Sequence, residues 1–225
     1  MFIAIEGGEG CGKSTQARLL SEWMDAQGIE HVLAREPGGT KTGEAVRELV
    51  LSGLDMDRLT ELFMILASRS EFVTRIARPT LESGMALIAD RFSLSTLAYQ
   101  GYGRGIDLGV VRAGLEIATG GLEPDLYVVI DLPREVARSR MERAGGGRDR
   151  IERAGEEFMA AVSDGYRRLV RSAPHVAMVD GSGTEAEVHD AVRRLVDARL
   201  RGGTRDPRAP GRPNGYTPSR KGGRF

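Results

Sequence analysis

Cysteine occurs once in 225 residues, at Cys11, so no internal disulfide can form and a reducing compartment is expected. Long apolar runs are missing too. Nothing approaches the ~20 residues of a membrane helix, and the first apolar segment follows Met1 with no room for a signal sequence. The expectation is a cytoplasmic protein. Asparagine is found only at Asn214, which excludes the N-K-x-D motif of the usual guanine-reading switch proteins. Lysine is scarce, three among 32 basic residues, which singles out Lys13 as a compact charge inside a glycine-rich segment.

What is present suits one globular domain of about 200 residues, since 40% of the chain is apolar and 28% charged. Formal charge cancels overall but unevenly. Residues 201–225 hold seven basic side chains against Asp206 alone, and residues 1–200 carry the balancing acidic surplus. That tail is rich in glycine, proline and arginine without apolar periodicity, and it reads as disordered. A solvated extension is the plainer reading, although a basic tail can also touch nucleic acid.

Directly behind Phe2, Ile3, Ala4 and Ile5 stand the residues GGEGCGKS, Gly7 to Ser14, which fill the pattern G-x-x-x-x-G-K-[ST]. Glycines allow the backbone to curl so that successive N–H groups converge on phosphate oxygens, while Lys13 reaches the terminal phosphates and Ser14 offers a hydroxyl to magnesium. Ser14 to Ala26 reads as a helix whose positive end faces the same phosphates. Cys11 suits a small residue filling a tight turn.

Short apolar runs predict strands at Phe2–Glu6, His31–Arg35, Ala86–Asp90, Leu126–Leu132 and Val176–Asp180, each followed by enough chain for a crossover helix. The fold class is therefore α/β, a five-stranded parallel sheet with helices on both faces and ligands at the carboxyl ends of the strands. Thr184 followed by Glu187 marks the start of the last helix.

Three further groups of residues fall at strand ends. Arg35-Glu36-Pro37-Gly38-Gly39-Thr40 brings backbone close to a ligand, though a plain turn also uses Pro-Gly-Gly. Asp90-Arg91 can hold magnesium and fork onto a phosphate, and Ser95, Thr96, Tyr99 and Gln100 add uncharged hydrogen-bonding groups suited to a base and sugar. Arg134, Arg138, Arg140, Arg143, Arg148 and Arg150 surround Gly145-Gly146-Gly147, which reads either as a solvated helix with a flexible end or as a hinge whose closure would bring guanidinium groups onto phosphates.

GGEGCGKST, REPGGT, DRFSLSTLAYQGYGRG and RDRIE, in that order over about residues 1–200, resemble the thymidylate kinases. The resemblance implies a P-loop NTPase fold with a short Arg-rich lid at about 140–152, magnesium-dependent transfer of the ATP γ-phosphate to dTMP, and a homodimer. On that pattern Gly7, Gly8, Glu9, Gly10, Cys11, Gly12, Lys13, Ser14 and Thr15 hold the ATP phosphates, and Asp180, Gly181 and Ser182 lie beside adenine. Glu36, Pro37, Gly38, Gly39, Ile65, Arg69, Arg91, Ser95, Thr96, Tyr99 and Gln100 surround dTMP, with Glu9 near the deoxyribose. The metal falls to Ser14, Glu9 and Asp90, and catalysis to Lys13, Arg91 and the lid arginines Arg143, Arg148 and Arg150.

One departure stands out. Ile65 occupies the place where the family commonly has a phenylalanine to stack on thymine, and such stacking is worth about 0.5–1.5 kcal/mol beyond area burial. Phe72 shares a helix face with Ile65 and Arg69, whereas Phe63 falls on a stripe with Leu59, Leu62 and Leu66 that suggests core packing. Two rival classes stay open at this level: a deoxynucleoside or other nucleoside monophosphate kinase, the former with Glu36 as base, and a nucleotide-binding module without catalysis.

Overall fold

The computed structural model describes residues 1–144, 154–171 and 175–202. Its strands are β1 (Phe2–Gly7), β2 (His31–Arg35), β3 (Ala86–Asp90), β4 (Leu126–Asp131) and β5 (Val176–Asp180). All neighbours pair in parallel in the order β2-β3-β1-β4-β5, so each connection is a crossover and helices cover both faces. The helices are α1 (Lys13–Ala26), α2 (Lys41–Leu51), α3 (Arg58–Phe72), α4 (Arg78–Glu82), α5 (Ser93–Thr96), α6 (Leu108–Thr119), α7 (Arg134–Ala144), α8 (Glu156–Val170) and α9 (Glu185–Arg201). Two π-helical stretches, Val73–Ala77 and Leu97–Gly103, continue α3 and α5.

Strands β1, β3 and β4 are buried along almost their whole length, whereas β2 and β5 are the partly exposed edges. Alternate side chains serve opposite cores, as the period of two requires. Phe2, Ala4, Leu87, Ala89, Tyr127 and Val129 pack with residues of α3, α6 and α8. Ile3, Ile5, Ile88, Val128 and Ile130 meet α1 and α9 through Leu20, Met24, Val188, Val192 and Val196.

The expected boundaries hold to within a residue. β1 runs on to Gly7, β4 stops at Asp131, and α1 starts at Lys13 because Gly12, at φ 91°, takes the left-handed conformation that opens the helix. The Thr184 and Glu187 capping box forms as the spacing predicts. Helix α9 passes the anticipated domain end at residue 200 and includes Arg201. Residues 140–144 of the anticipated lid belong to α7. The Gly145–Gly147 hinge, Arg148, Arg150 and tail residues 203–225 lie outside the described residues.

Phe63 corrects the sequence reading. It is 66% exposed, and Leu59 beside it on the same stripe is 42% exposed. The inward face of α3 is instead set by Leu62, Ile65, Arg69 and Phe72, and Phe63 lies one residue, or about 100° of helix rotation, away from it. Among the described residues no helix is long and apolar enough to cross a membrane.

Candidate active site

The glycine-rich loop leaves β1 against the backbone of β4. Gly7 has φ 138°, and a Cβ there would lie 2.4 Å from the Ile130 carbonyl oxygen, so only glycine permits this approach. Lys13 opens α1 and is 6% exposed, its Nζ donating to the Gly8 carbonyl at 2.5 Å and lying 3.6 Å from the Cys11 sulfur. The ammonium is thus folded back into the loop's own concavity. Ser14 Oγ donates to Asp90 Oδ2 at 2.5 Å, which joins the first turn of α1 to the end of β3. Thr15 follows on the same turn.

Beside the loop lies a cavity of about 220 Å³ walled by the ends of β2 and β3 and by α2, α3 and the α5 segment. It gathers Glu9, Lys13, Ser14, Glu36, Pro37, Ile65, Arg69, Asp90, Arg91, Ser95, Thr96, Tyr99 and Gln100, nearly all the residues expected around an acceptor. Five cations, Lys13, Arg35, Arg47, Arg69 and Arg91, face three carboxylates, Glu9, Glu36 and Asp90, which leaves the cavity suited to a dianionic phosphate.

Arg91 is the centre of the network. It is the one described non-glycine residue in the left-handed region, at φ 77°, and this turn aims its guanidinium back over the loop. Its Nη1 donates to the Gly7 carbonyl at 3.1 Å and Ser95 Oγ at 3.2 Å, while Nη2 reaches Glu9 Oε1 and Tyr99 OH. Tyr99 OH also donates to Glu9 at 3.0 Å. Burial works against the Glu9 charge, but Arg91 and Lys13 outweigh it and hold that carboxyl at about 2.

A lowered carboxylate stabilises the fold above its unfolded value near 4.5, and that contribution is lost as pH falls through about 2. The melting-temperature gap between the native chain and Glu9→Gln is therefore expected to be widest above about pH 4.5 and to close toward pH 2. A gap that stays constant across that window would sink the Glu9 and Arg91 pairing.

Several expected ligands are already engaged with one another. Arg69, 2% exposed, forms a buried ion pair with Glu36 and lies 3.4 Å from both Ser93 Oγ and Thr96 Oγ1. Burial raises the Glu36 carboxyl against the opposing pull of Arg69. Ser95 Oγ donates to Glu6, a fully buried glutamate that also accepts from the Phe92 and Ser95 amides and from Tyr166 OH. Phe72 is wholly buried against Phe92 and does not line the cavity. Ile65 does line it.

Other expected residues lie outside this cavity. Gly38 and Gly39 do not line the cavity; their φ values of 136° and 76° shape the turn into α2, and the Gly39 amide donates to Glu44 Oε1 at 2.9 Å. Arg143 donates to Ser139 one turn back on α7. Asp180 accepts from the Ser182 amide at 2.9 Å, and Arg140 grips the same loop through the Gly181 carbonyl at 2.9 Å. This loop lies outside the acceptor cavity. A larger cavity, about 530 Å³, lies on the other side of the phosphate loop beneath α7 and α8 and shares only Glu9 with the acceptor cavity.

Sequence reading missed Glu6, Arg47 and Tyr166. An acid closing the apolar run Phe2 to Ile5 was a usable signal for Glu6, because a buried carboxylate needs partners. Arg47 on α2 had none; it lines the cavity, donates to the Pro37 carbonyl at 3.2 Å, and is lowered by burial and by the like charge of Arg35.

A loop of this form, with its serine on a strand-end aspartate and a cationic cavity beside it, has the groups that phosphoryl transfer to a second phosphate-bearing substrate requires. The thymidylate kinase family profile matches residues 5–192. The chain belongs to the thymidylate kinase family. It is 42% identical to a thymidylate kinase of Synechococcus sp. (strain JA-2-3B'a(2-13)) over 201 residues, covering 89% of this chain and 96% of that protein. A thymidylate kinase of Pelotomaculum thermopropionicum is 40% identical over 211 residues, covering 91% of this chain and 98% of its own length. Among solved structures, a thymidylate kinase from Ehrlichia chaffeensis superposes with a TM-score of 0.72 at 33% identity, covering 88% of this chain and 98% of that one. The chain is accordingly a phosphotransferase of the P-loop class.

Proposed function

We propose that the cavity bounded by Arg91, Arg69, Ile65 and Gln100 is the acceptor site, and that the loop Gly7 to Ser14 holds the donor's phosphates. The chain phosphorylates dTMP with ATP, giving dTDP and ADP, as its family membership implies. The observation that carries the residue assignment is the continuity of the two sites: Glu9, Lys13 and Ser14 of the loop are also walls of the acceptor cavity. The attacking phosphate oxygen is thereby brought beside the donor, and positioning with charge neutralisation supplies most of the catalysis. Arg91 and Arg47 take the acceptor phosphate, and Thr96, Gln100 and Arg69 read the base. Tyr99, pinned to Glu9, crowds the sugar where a ribose would carry its 2′-hydroxyl.

Magnesium fits the residues present. Among the described residues no group of three or more His, Cys, Asp or Glu side chains can hold a metal ion. The Ser14 hydroxyl and Asp90 carboxylate, 2.5 Å apart, are hard oxygen donors of the kind that binds Mg²⁺ together with substrate phosphates and water. Bound there, the ion would neutralise phosphate charge.

The protein acts in the cytoplasm as a homodimer. Supporting the dimer, Leu59 and Phe63 on α3 and Val110 and Ile117 on α6 are exposed apolar side chains, Ile117 at 84%. They flank the place where α3 and α6 meet through Leu66 and Gly114. Phe63→Glu is expected to sediment as a monomer where the native chain sediments as a dimer; unchanged sedimentation counts against this face.

ADP release measured with dTMP, dUMP, dCMP, AMP and thymidine tests the activity. Turnover with dTMP well above the rest is expected. Preference for thymidine would favour a nucleoside kinase, but Glu36, the base that reaction would call on, is already committed to Arg69.

A further inference from the structure

Glu61 is a glutamate with no exposed surface on α3, a position where a carboxylate survives only with its oxygens satisfied. Two side chains from the segment that follows α5 do this. Gln100 Nε2 donates to Glu61 Oε1 at 2.7 Å. Arg104 Nη2 reaches Oε2 at 3.0 Å, and its Nε lies 3.2 Å from both oxygens. Arg104 is itself held over the Phe158 ring, 4.5 Å from the centroid. Glu61 and Arg104 do not line the acceptor cavity, whereas Gln100, 4% exposed, does.

A glutamine amide has a donor end and an acceptor end, and on its own it can present either. An ionised carboxylate only accepts, so the amide nitrogen must be the end that faces Glu61. The carbonyl oxygen of Gln100 is then left for the cavity. This choice has a chemical consequence, because thymine and uracil carry an N–H donor at N3 whereas cytosine carries a lone pair there. The π-helical turn Leu97–Gly103 suits the arrangement, since its i→i+5 bonding puts an extra residue in the turn, and Thr96, Tyr99 and Gln100 all line the cavity while Gln100 also reaches α3.

We propose that Glu61 is a positioning residue for acceptor choice: by holding the Gln100 amide nitrogen, it presents the Gln100 carbonyl oxygen to the N3–H of a pyrimidine-dione base and denies a partner to the N3 lone pair of cytosine. The inference rests on the placement of the acceptor base in this cavity. Arg104 acts one step further out by fixing the carboxylate through an ion pair. A site that leaves a buried polar group unpaired against the wrong substrate discriminates far more strongly than one built on shape alone.

Steady-state kinetics with dTMP, N3-methyl-dTMP and dCMP test the proposal. The native enzyme should lose at least about tenfold in acceptor kcat/KM when N3 is methylated. Glu61→Gln, which can meet either end of the Gln100 amide, should narrow the dTMP to dCMP preference by about tenfold through acceptor KM, with KM for ATP unchanged. In a Gln100→Leu background, adding Glu61→Gln should change that preference no further. Native enzyme that uses dTMP and its N3-methyl derivative equally overturns the Glu61 assignment and leaves the acceptor site standing. So does Glu61→Gln with an unchanged preference, and so does a further loss in the double variant. Should Glu61→Gln not fold, the methylated substrate decides with the native chain alone. Native enzyme without turnover on dTMP overturns both this proposal and the reading it rests on.

Discussion

Lys13→Ala is expected to lower phosphoryl transfer by about 10³-fold or more while the chain melts cooperatively near the native temperature. The lysine side chain crosses the loop and donates to the Gly8 carbonyl at 2.5 Å, so its charge is stored where donor phosphates would otherwise find only backbone amides. Phosphoryl transfer needs that charge as negative charge shifts between oxygens, and no lysine stands elsewhere in the described cavity walls to replace it. Stability should change little, because truncation removes a cation from a loop lined by carbonyl and sulfur, and Glu9, which Lys13 helps to keep ionised, retains its ion pair with Arg91. Single-turnover rates and a thermal melt measure the two quantities separately. Transfer within tenfold of native would remove Lys13 from the catalytic machinery.

Arg91→Ala should cost about 10²–10³-fold in kcat/KM for dTMP, corresponding to about 3–4 kcal/mol. The loss has two sources. The acceptor phosphate loses its forked donor, and Glu9 keeps its negative charge in the same cavity without the guanidinium that now balances it. KM for dTMP should therefore rise more than KM for ATP, a split that a merely misfolded loop would not produce. Arg91→Lys should recover only part of the loss, since an ammonium cannot serve the Gly7 carbonyl, Ser95 and Glu9 in one planar fork. Equal effects on both Michaelis constants would place Arg91 in the loop's architecture and not on the acceptor.

Much of the site was legible because its signals are local. The Gly7 to Ser14 loop announces itself through spacing, and a strand end followed by Asp90-Arg91 locates polar chemistry at the sheet's carboxyl edge. The partners of those residues were not legible. Glu36 and Arg69 were both placed beside dTMP, and nothing local announced that they pair with each other across 33 residues of sequence. Ser95 was assigned to the substrate but spends its hydroxyl on Glu6, 89 residues away. Gln100 was assigned to base and sugar, and its bond to Glu61, 39 residues away, had no local signal.

The sequence by itself determined the five strands, the first helix and the start of the last helix nearly to the residue, the parallel α/β class and the phosphate-loop pattern, since apolar period, glycine placement and capping residues act over a few neighbours. Only the tertiary structure decided which charges are spent on each other and which are left for ligands, and which face of α3 turns outward with Phe63. Both depend on how helices are rotated when they pack, and a turn of one residue, about 100°, separates a core phenylalanine from an exposed one.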